Sequence, residues 1–181
     1  PREPDALAWL DNDHFVTANE GDWKGGSRGF TVWNKDGRVV FDSGNLLDRE
    51  LMRLGHYPDH RNKKGGEPEA VISAEFDGVP MFFVASERGS MIFAFDATDP
   101  AQPRLVQAFP SGIGPEGLVA IPERGLFATA NETDLVEDGG ARAHVMIHAH
   151  SDAAPAYPTL VSTAGDAVIG WGALSGLTVD P

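Results

Sequence analysis

Acidic residues recur in this chain within a repeated phrase, and their spacing is the feature that could support chemistry. The letters TANEGD occupy residues 17–22, TANETD occupies 129–134, and a third version, FVASERG, lies at 83–89. Each phrase ends an apolar segment with a glutamate. A second acid follows the proline that opens each unit, in PDALAWL, PEAVISA and PEGLVAI. The two sets of recurring acids are Asp5, Glu69 and Glu116, and Glu20, Glu87 and Glu132.

Equivalent positions of a repeat point at the same place, so these acids are expected to converge. Converging carboxylates repel one another unless a cation or a basic group lies among them. Calcium suits such a site, because it accepts several oxygen ligands in flexible geometry. The alternative is structural, with each acid capping a turn or pairing with a nearby arginine. The arginines available for such pairs are Arg28, Arg88, Arg124 and Arg142.

Two further groups of side chains could bind ligands. His144, His148 and His150 share strand parity and would lie on one face, where they form either a metal site or a polar surface. Basic side chains gather in two loops that could bind an anion or remain solvated. They are Lys24, Arg28, His56, His60, Arg61, Lys63 and Lys64.

Several other functions are excluded by the sequence. The formal net charge of −13 would repel a nucleic-acid backbone. No cysteine is present, so thiol chemistry and disulfides are absent. GIGPEG at 112–117 precedes a strand rather than the helix that a dinucleotide site requires. The letters GGSRG at 25–29 place Ser27 in a G-x-S-x-G spelling, but they lead into the β-rich run FTVWN and offer no strand-to-helix elbow for a nucleophile. No apolar run reaches membrane-spanning length, and because the first residue is Pro1 we expect a trimmed piece without its signal segment.

The elements that must position the acids are short β-strands. Units at about 4–44, 68–110 and 115–163 each contain four β-rich runs separated by Gly, Pro and Asp, which predicts a four-stranded antiparallel sheet. In the third unit the fourth run is TLVST. An insert at 45–67 begins with a short amphipathic helix, with Asn45 as N-cap and Gly55 as C-cap.

The fold class expected is therefore all-β, a partial β-propeller of about three four-stranded blades with one inserted helix. Residues 172–181 resemble the opening strand of a fourth unit. Closed propellers need four to eight blades, so three units with this stub cannot close alone. We expect a fragment, or a ring completed by another copy that covers the open blade edges.

Several phrases resemble the bacterial proteins named for an esterase-like activity of phytase, and the related secreted choice-of-anchor propeller proteins. They include FVTANEGDWKGGSRGFTVWNKDG, GHYPDHR, EPEAV, FVASERG, GPEGLVAIP and WGALSGLTVDP, which together cover nearly the whole chain. This resemblance implies a β-propeller, export to the periplasm or the exterior, and calcium-dependent phosphoester hydrolysis of a phosphorylated small molecule.

On that resemblance, acids would bind calcium ions that bind the substrate phosphate and activate a water molecule. The implied ligands are Glu20, Asp22, Glu69, Glu87, Glu116, Glu132 and Asp134, with His56 and Arg88 on the phosphate side. The catalytic residues stay unassigned. The alternative is a non-catalytic propeller that binds a partner or a polymer through its rim loops.

Overall fold

The computed structural model describes residues 1–58, 65–154, 157, 159–172 and 174, and it shows an all-β, partial propeller-like fold. Blade 1 is a four-stranded antiparallel sheet in the order β1-β2-β3-β4. Its strands are β1 (Pro4–Trp9), β2 (His14–Asn19), β3 (Phe30–Asn34) and β4 (Val39–Asp42). Blade 2 has the same topology. Its strands are β5 (Pro68–Phe76), β6 (Val79–Ser86), β7 (Met91–Asp96) and β8 (Arg104–Pro110).

Blade 3 is a three-stranded sheet in the described part of the chain. Its strands are β9 (Pro115–Ile121), β10 (Leu126–Asn131) and β11 (His144–Ala149), and β10 is central. The fourth strand expected at TLVST does not pair with β11. Instead the Ser162 N–H donates to the Arg53 carbonyl over 3.0 Å, and β12 (Thr163–Ala164) forms a small hairpin with β13 (Ala167–Val168). Apart from Gly172 and Leu174, the segment expected to open a fourth unit lies outside the described residues.

The blades are bound to one another by two aromatic cores. Between blades 1 and 2, Phe30 packs edge-on against Phe82 and Phe95, with ring centroids 5.0 and 4.7 Å apart. Between blades 2 and 3, Phe83 lies 4.6 Å from Phe127. The alternation of the strands explains both cores, since successive side chains of blade 2 point to opposite faces and both faces are covered.

The inserted helix forms as the sequence predicts. Helix α1 (Leu46–Leu54) buries Leu47, Leu51 and Leu54 in the core between blades 1 and 2. It ends at Gly55, whose φ of 73° is left-handed, and the next N–H, of His56, donates to the Leu51 carbonyl over 2.8 Å. Asn45 occupies the N-cap position, but its side chain makes no capping hydrogen bond.

Leu51 connects this helix to the loops that carry acidic residues. A Cβ atom built on Gly66 would lie 2.4 Å from Leu51 Cδ1, and one built on Gly89 would lie 2.5 Å from Leu51 Cδ2. Glycine is therefore required at both positions for the helix to approach the ends of β5 and β6. Among the residues that the structure describes, no helix has the length and apolar character needed to cross a bilayer.

Candidate cation-binding cluster

One residue in the first strand of every blade bulges out of register, and in all three blades that residue is acidic. In blade 1, Pro4 pairs with Asn19 while Ala6 pairs with Ala18, which leaves Asp5 without an opposite residue. The same shift occurs between Pro68 and Ala70 in blade 2, and opposite Ala130 and Asn131 in blade 3. A β-bulge redirects a side chain away from the alternation of its strand. The bulged residues are Asp5, Glu69 and Glu116.

The second set of acids follows β2, β6 and β10 directly, so it lies at the same end of each hairpin. The N–H groups of Glu20, Glu87 and Glu132 each donate to the carbonyl oxygen of the residue immediately before the first strand of their blade, over 2.9 Å in each case. These acceptors are the residues that precede the opening prolines: Glu3, Glu67 and Gly114. The repeated backbone bond places the two sets of acids side by side.

The side chains converge as the repeat predicts. Carboxylate oxygens of Glu20, Glu67 and Glu69 lie within 4.8 Å of one another, and those of Glu87, Glu116 and Glu132 form a second group by the same measure. Asp5 adds its charge to both Glu69 and Glu116, and so connects the groups. We call these seven residues the acidic cluster: Asp5, Glu20, Glu67, Glu69, Glu87, Glu116 and Glu132.

Glu67 is the member that the sequence interpretation missed. It is 1% exposed and pairs with Arg88, whose Nε donates to its carboxylate. Its backbone φ of 50° is left-handed, where a residue other than glycine is uncommon, and Gly114 holds the equivalent position at φ 67°. The signal was present in the phrases EPD at 3–5 and EPE at 67–69, in which an acid also precedes the proline.

The cluster carries more negative charge than its surroundings favour at neutral pH. Burial, reinforced by the neighbouring carboxylates, raises the pKa of Glu69 to about 7. Burial and a hydrogen bond with Glu67 raise the pKa of Glu87 to about 7, against the opposing charge of Arg88. Burial and the charge of Glu132 also raise the pKa of Glu116. A proton or a cation is therefore favoured among these side chains.

One oxygen of the cluster lacks a hydrogen-bond partner. Glu69 Oε2 is buried and accepts no hydrogen bond from any residue that the structure describes. A buried, unpaired carboxylate oxygen is costly unless another positive group approaches it. The donor set, which consists of carboxylates alone, is that of a hard cation such as Ca²⁺ rather than of a thiolate- or imidazole-binding metal.

Four of the residues predicted for the site are not among the converging carboxylates: the predicted ligands Asp22 and Asp134, and the phosphate-side candidates Arg88 and His56. Asp22 and Asp134 belong to neither group of converging carboxylates, and Asp134 instead pairs with Arg142 at 3.4 Å. Arg88 lies at the cluster through its contact with Glu67. The His56 ring contacts the Gly89 carbonyl through Nδ1 at 3.0 Å. Of the predicted basic loop, His60, Arg61, Lys63 and Lys64 lie outside the described residues.

The three histidines do not gather into a group of ligands in the described part of the chain. His144 Nδ1 donates to the Arg142 carbonyl over 2.7 Å. His148 packs against Phe109, with ring centroids 4.9 Å apart, and burial lowers its pKa. His150 lies beyond the end of β11 and approaches Asp77 at 3.4 Å.

The threonine and asparagine of the repeated phrase have a structural role. Asn19 is fully buried, and its Nδ2 donates to Thr31 Oγ1 over 2.9 Å while its Oδ1 accepts from Thr17 Oγ1 over 3.1 Å. Asn131 Nδ2 donates in a similar way to Thr129 Oγ1 and to the His144 carbonyl. In TANE the threonine and the asparagine therefore hold the strand end together, and the glutamate points into the cluster.

Comparisons with known proteins support the fold, and one family model matches part of the chain. The family model of the Choice-of-anchor I domain matches residues 24–100, the stretch that contains Glu67, Glu69 and Glu87. The solved structure of U3-55K is similar with a TM-score of 0.53 at 13% identity, over 80% of this chain and 41% of U3-55K. The chain thus spans about two fifths of that structure's length, and the likeness shows the fold alone. A search of curated protein sequences gave no match.

Proposed function

We propose that this chain is a non-catalytic binding module of a secreted or cell-surface propeller, and that its acidic cluster binds Ca²⁺. The observation that carries the proposal is the gathering of carboxylates into two groups of three, one of which contains the buried Glu69 Oε2 that accepts no hydrogen bond from any described residue. The likeness to the Choice-of-anchor I domain over residues 24–100 supports a surface location, since such domains occur in secreted or cell-surface proteins.

The ligands we assign come from two blades at once. Glu69 bulges from β5, Glu20 follows β2, and their oxygens lie within the same 4.8 Å group as Glu67. An ion bound there would connect blade 1 to blade 2 and remove the repulsion among the three carboxylates. Because Ca²⁺ takes six to eight oxygen ligands, the cluster could also bind an anionic group of a partner through the ion.

Calcium binding is tested by melting chelator-stripped protein with and without millimolar Ca²⁺. Free Ca²⁺ at 100 times the Kd of the site stabilises the folded state by about 2.7 kcal/mol. For a chain of this size that corresponds to a rise in Tm of roughly 5–10 °C. The double variant Glu69→Gln/Glu87→Gln should lose this rise. Glu75→Gln is the matched control, because Glu75 is an exposed glutamate on the same strand as Glu69.

Unchanged melting of the wild-type protein in Ca²⁺ would contradict the calcium site. Mg²⁺ at the same concentration tests selectivity, because Mg²⁺ demands six ligands in near-ideal octahedral geometry and gives up its water reluctantly. A smaller rise with Mg²⁺ is expected.

Calcium-dependent phosphoester hydrolysis is the second candidate, and one observation favours it. Arg88 lies beside the carboxylates and its side chain is 40% exposed, so it could contact a phosphate bound at the cluster. Turnover of p-nitrophenyl phosphate or phytate that EDTA abolishes and that Glu69→Gln/Glu87→Gln reduces would favour the enzyme. Calcium binding without turnover would favour the binding module.

A further inference from the structure

A cleft lies between blades 2 and 3, at the end of the strands opposite the acidic cluster. Its wall includes the turn between β5 and β6, where Phe76 pairs with Val79. The cluster lies at the other end of the same hairpin, where Pro68 pairs with Ser86. The cleft encloses about 740 Å³, within the roughly 300–1,000 Å³ of small-molecule sites. No residue of the acidic cluster lines it, so it is a separate feature of the molecule.

Aromatic rings form the floor of this cleft. Phe83 lies 4.6 Å from Phe127, and Phe109 packs edge-on against Phe127 with ring centroids 5.8 Å apart. These three residues belong to the core between the blades, and they line the cleft. Tyr157 adds a fourth ring, and its hydroxyl accepts a hydrogen bond from Gln107 Nε2 over 2.8 Å. The electron-rich face of an aromatic ring attracts a cation.

A histidine on the blade 3 side completes the wall without adding charge. The ring of His148 lies 4.9 Å from that of Phe109, measured between centroids. Burial lowers the pKa of His148, so its imidazole is neutral at pH 7. Its Nε2 atom is buried and has no hydrogen-bond partner among the residues that the structure describes. The inner wall of the cleft therefore consists of uncharged rings.

The mouth of the cleft is acidic. Asp77, Asp96 and Asp152 line it, together with Arg104, whose Nη2 donates to Asp96 over 2.9 Å and so offsets that carboxylate. His150 Nδ1 lies 3.4 Å from Asp77 Oδ2. In the described part of the lining, Arg104 is the only permanently charged base, so the three carboxylates leave a net negative charge. The field at the mouth favours a cation.

We propose that this cleft binds an organic cation of the quaternary ammonium class. Such a cation exposes methyl groups rather than N–H donors, so it needs no hydrogen-bond acceptor, and aromatic rings are the usual means of recognising it. The rings of the floor supply the π faces, and the aspartates of the mouth attract the charge. An anionic ligand would be repelled at the mouth, and a neutral apolar one would gain nothing from the aspartates. The proposal does not depend on the calcium site.

Choline and 3,3-dimethylbutan-1-ol test the proposal, because they have the same shape and differ in charge. Ligand-observed NMR of the 181-residue chain at pH 7 measures the Kd of each compound. Choline should bind about tenfold more tightly than the alcohol, and the rings should shift its methyl resonances upfield. Equal affinity for the two compounds, or binding of neither, would overturn the proposal.

Two pairs of substitutions test whether the charge acts at the cleft. Asp77→Asn/Asp152→Asn removes carboxylates of the mouth, and should weaken choline binding by about threefold or more while binding of the alcohol stays unchanged. The control Asp36→Asn/Glu137→Gln removes two charges at exposed positions outside the lining, and should bind choline as the wild-type protein does. An equal loss in both pairs would show that choline responds to the overall charge of the chain, which would overturn the proposal.

Substitutions of His148 test the inner wall. His148→Phe keeps an uncharged ring and should retain choline binding, whereas His148→Lys places an ammonium group at the cleft and should abolish it. Circular dichroism checks that both variants fold. Choline binding that survives in a folded His148→Lys variant would overturn the proposal. Glu69→Gln/Glu87→Gln should bind choline unchanged, so a failure of the calcium site would leave this result standing.

Discussion

The N–H of Glu87 donates to the carbonyl oxygen of Glu67 over 2.9 Å, and this bond closes the strand end on which the acidic cluster is built. The same bond recurs from Glu20 to Glu3 and from Glu132 to Gly114. Because it is made by the backbone, it fixes the positions of the acids whatever their ionisation. The carboxylates are therefore held together even though their charges repel one another.

Replacement of Arg88 should destabilise the fold strongly. Arg88→Met would remove the charge that pairs with Glu67, which is 1% exposed, and the loss of a charge paired with a buried carboxylate costs about 3–5 kcal/mol. Urea unfolding at neutral pH measures the change. Arg104→Met is the control, because Arg104 pairs with Asp96 at the surface, where an ion pair contributes roughly 0–1 kcal/mol to stability. Equal effects of the two substitutions would contradict the structural role of Arg88.

A second replacement separates lost packing from lost charge. In Glu67→Gln/Arg88→Met the buried carboxylate is gone, so most of the stability lost in Arg88→Met should return. No recovery would mean that the arginine acts through the packing of its side chain and not through its charge.

The stability of the chelator-stripped protein should fall as the pH rises through neutrality. Glu69 and Glu87 have folded-state pKa values of about 7, above the 4.5 of an unperturbed glutamate. Between these values the folded state binds more protons than the unfolded state, so the free energy of unfolding decreases with increasing pH. The measurement is Tm from pH 5 to pH 8 in EDTA.

Two conditions should flatten this pH dependence. Saturating Ca²⁺ replaces the protons, and Glu69→Gln/Glu87→Gln removes the titrating groups. A profile that is flat in the wild-type protein in EDTA, or one that rises with pH, would show that these carboxyls are not perturbed as the structure indicates.

Asn19 and Asn45 should differ in how much their side chains contribute to the stability of the fold. Asn19→Ala removes a buried side chain that bonds Thr31 and Thr17, and should cost about 1–3 kcal/mol because polar partners stay buried. Asn45→Ala should change stability by less than about 0.5 kcal/mol, since Asn45 makes no capping bond at the start of α1. Urea unfolding of both variants checks the difference. A larger loss of stability in Asn45→Ala than in Asn19→Ala would contradict this expectation.

Much of the fold could be predicted because its signals are local. The turn sequences and the alternation of apolar residues predicted the strands of blades 1 and 2, and Leu47, Leu51 and Leu54 predicted α1. The prediction of a fourth strand in blade 3 was wrong, because in the described residues this sheet has three strands. TLVST has the composition of a strand, but whether a strand pairs is decided by the partner it meets, and here Ser162 bonds Arg53.

The candidate site likewise has features that the sequence predicted and features that only the tertiary structure decided. The repeat alone determined that acids following β2, β6 and β10 would meet acids at the openings of β1, β5 and β9, because equivalent positions of repeated sheets converge. Only the tertiary structure decided which acids share a group: Asp22 and Asp134 lie outside, and Glu67 lies inside. The reason is physical. Bulges and left-handed backbone redirect single side chains, and burial, which no local pattern reveals, sets which carboxyls hold their protons.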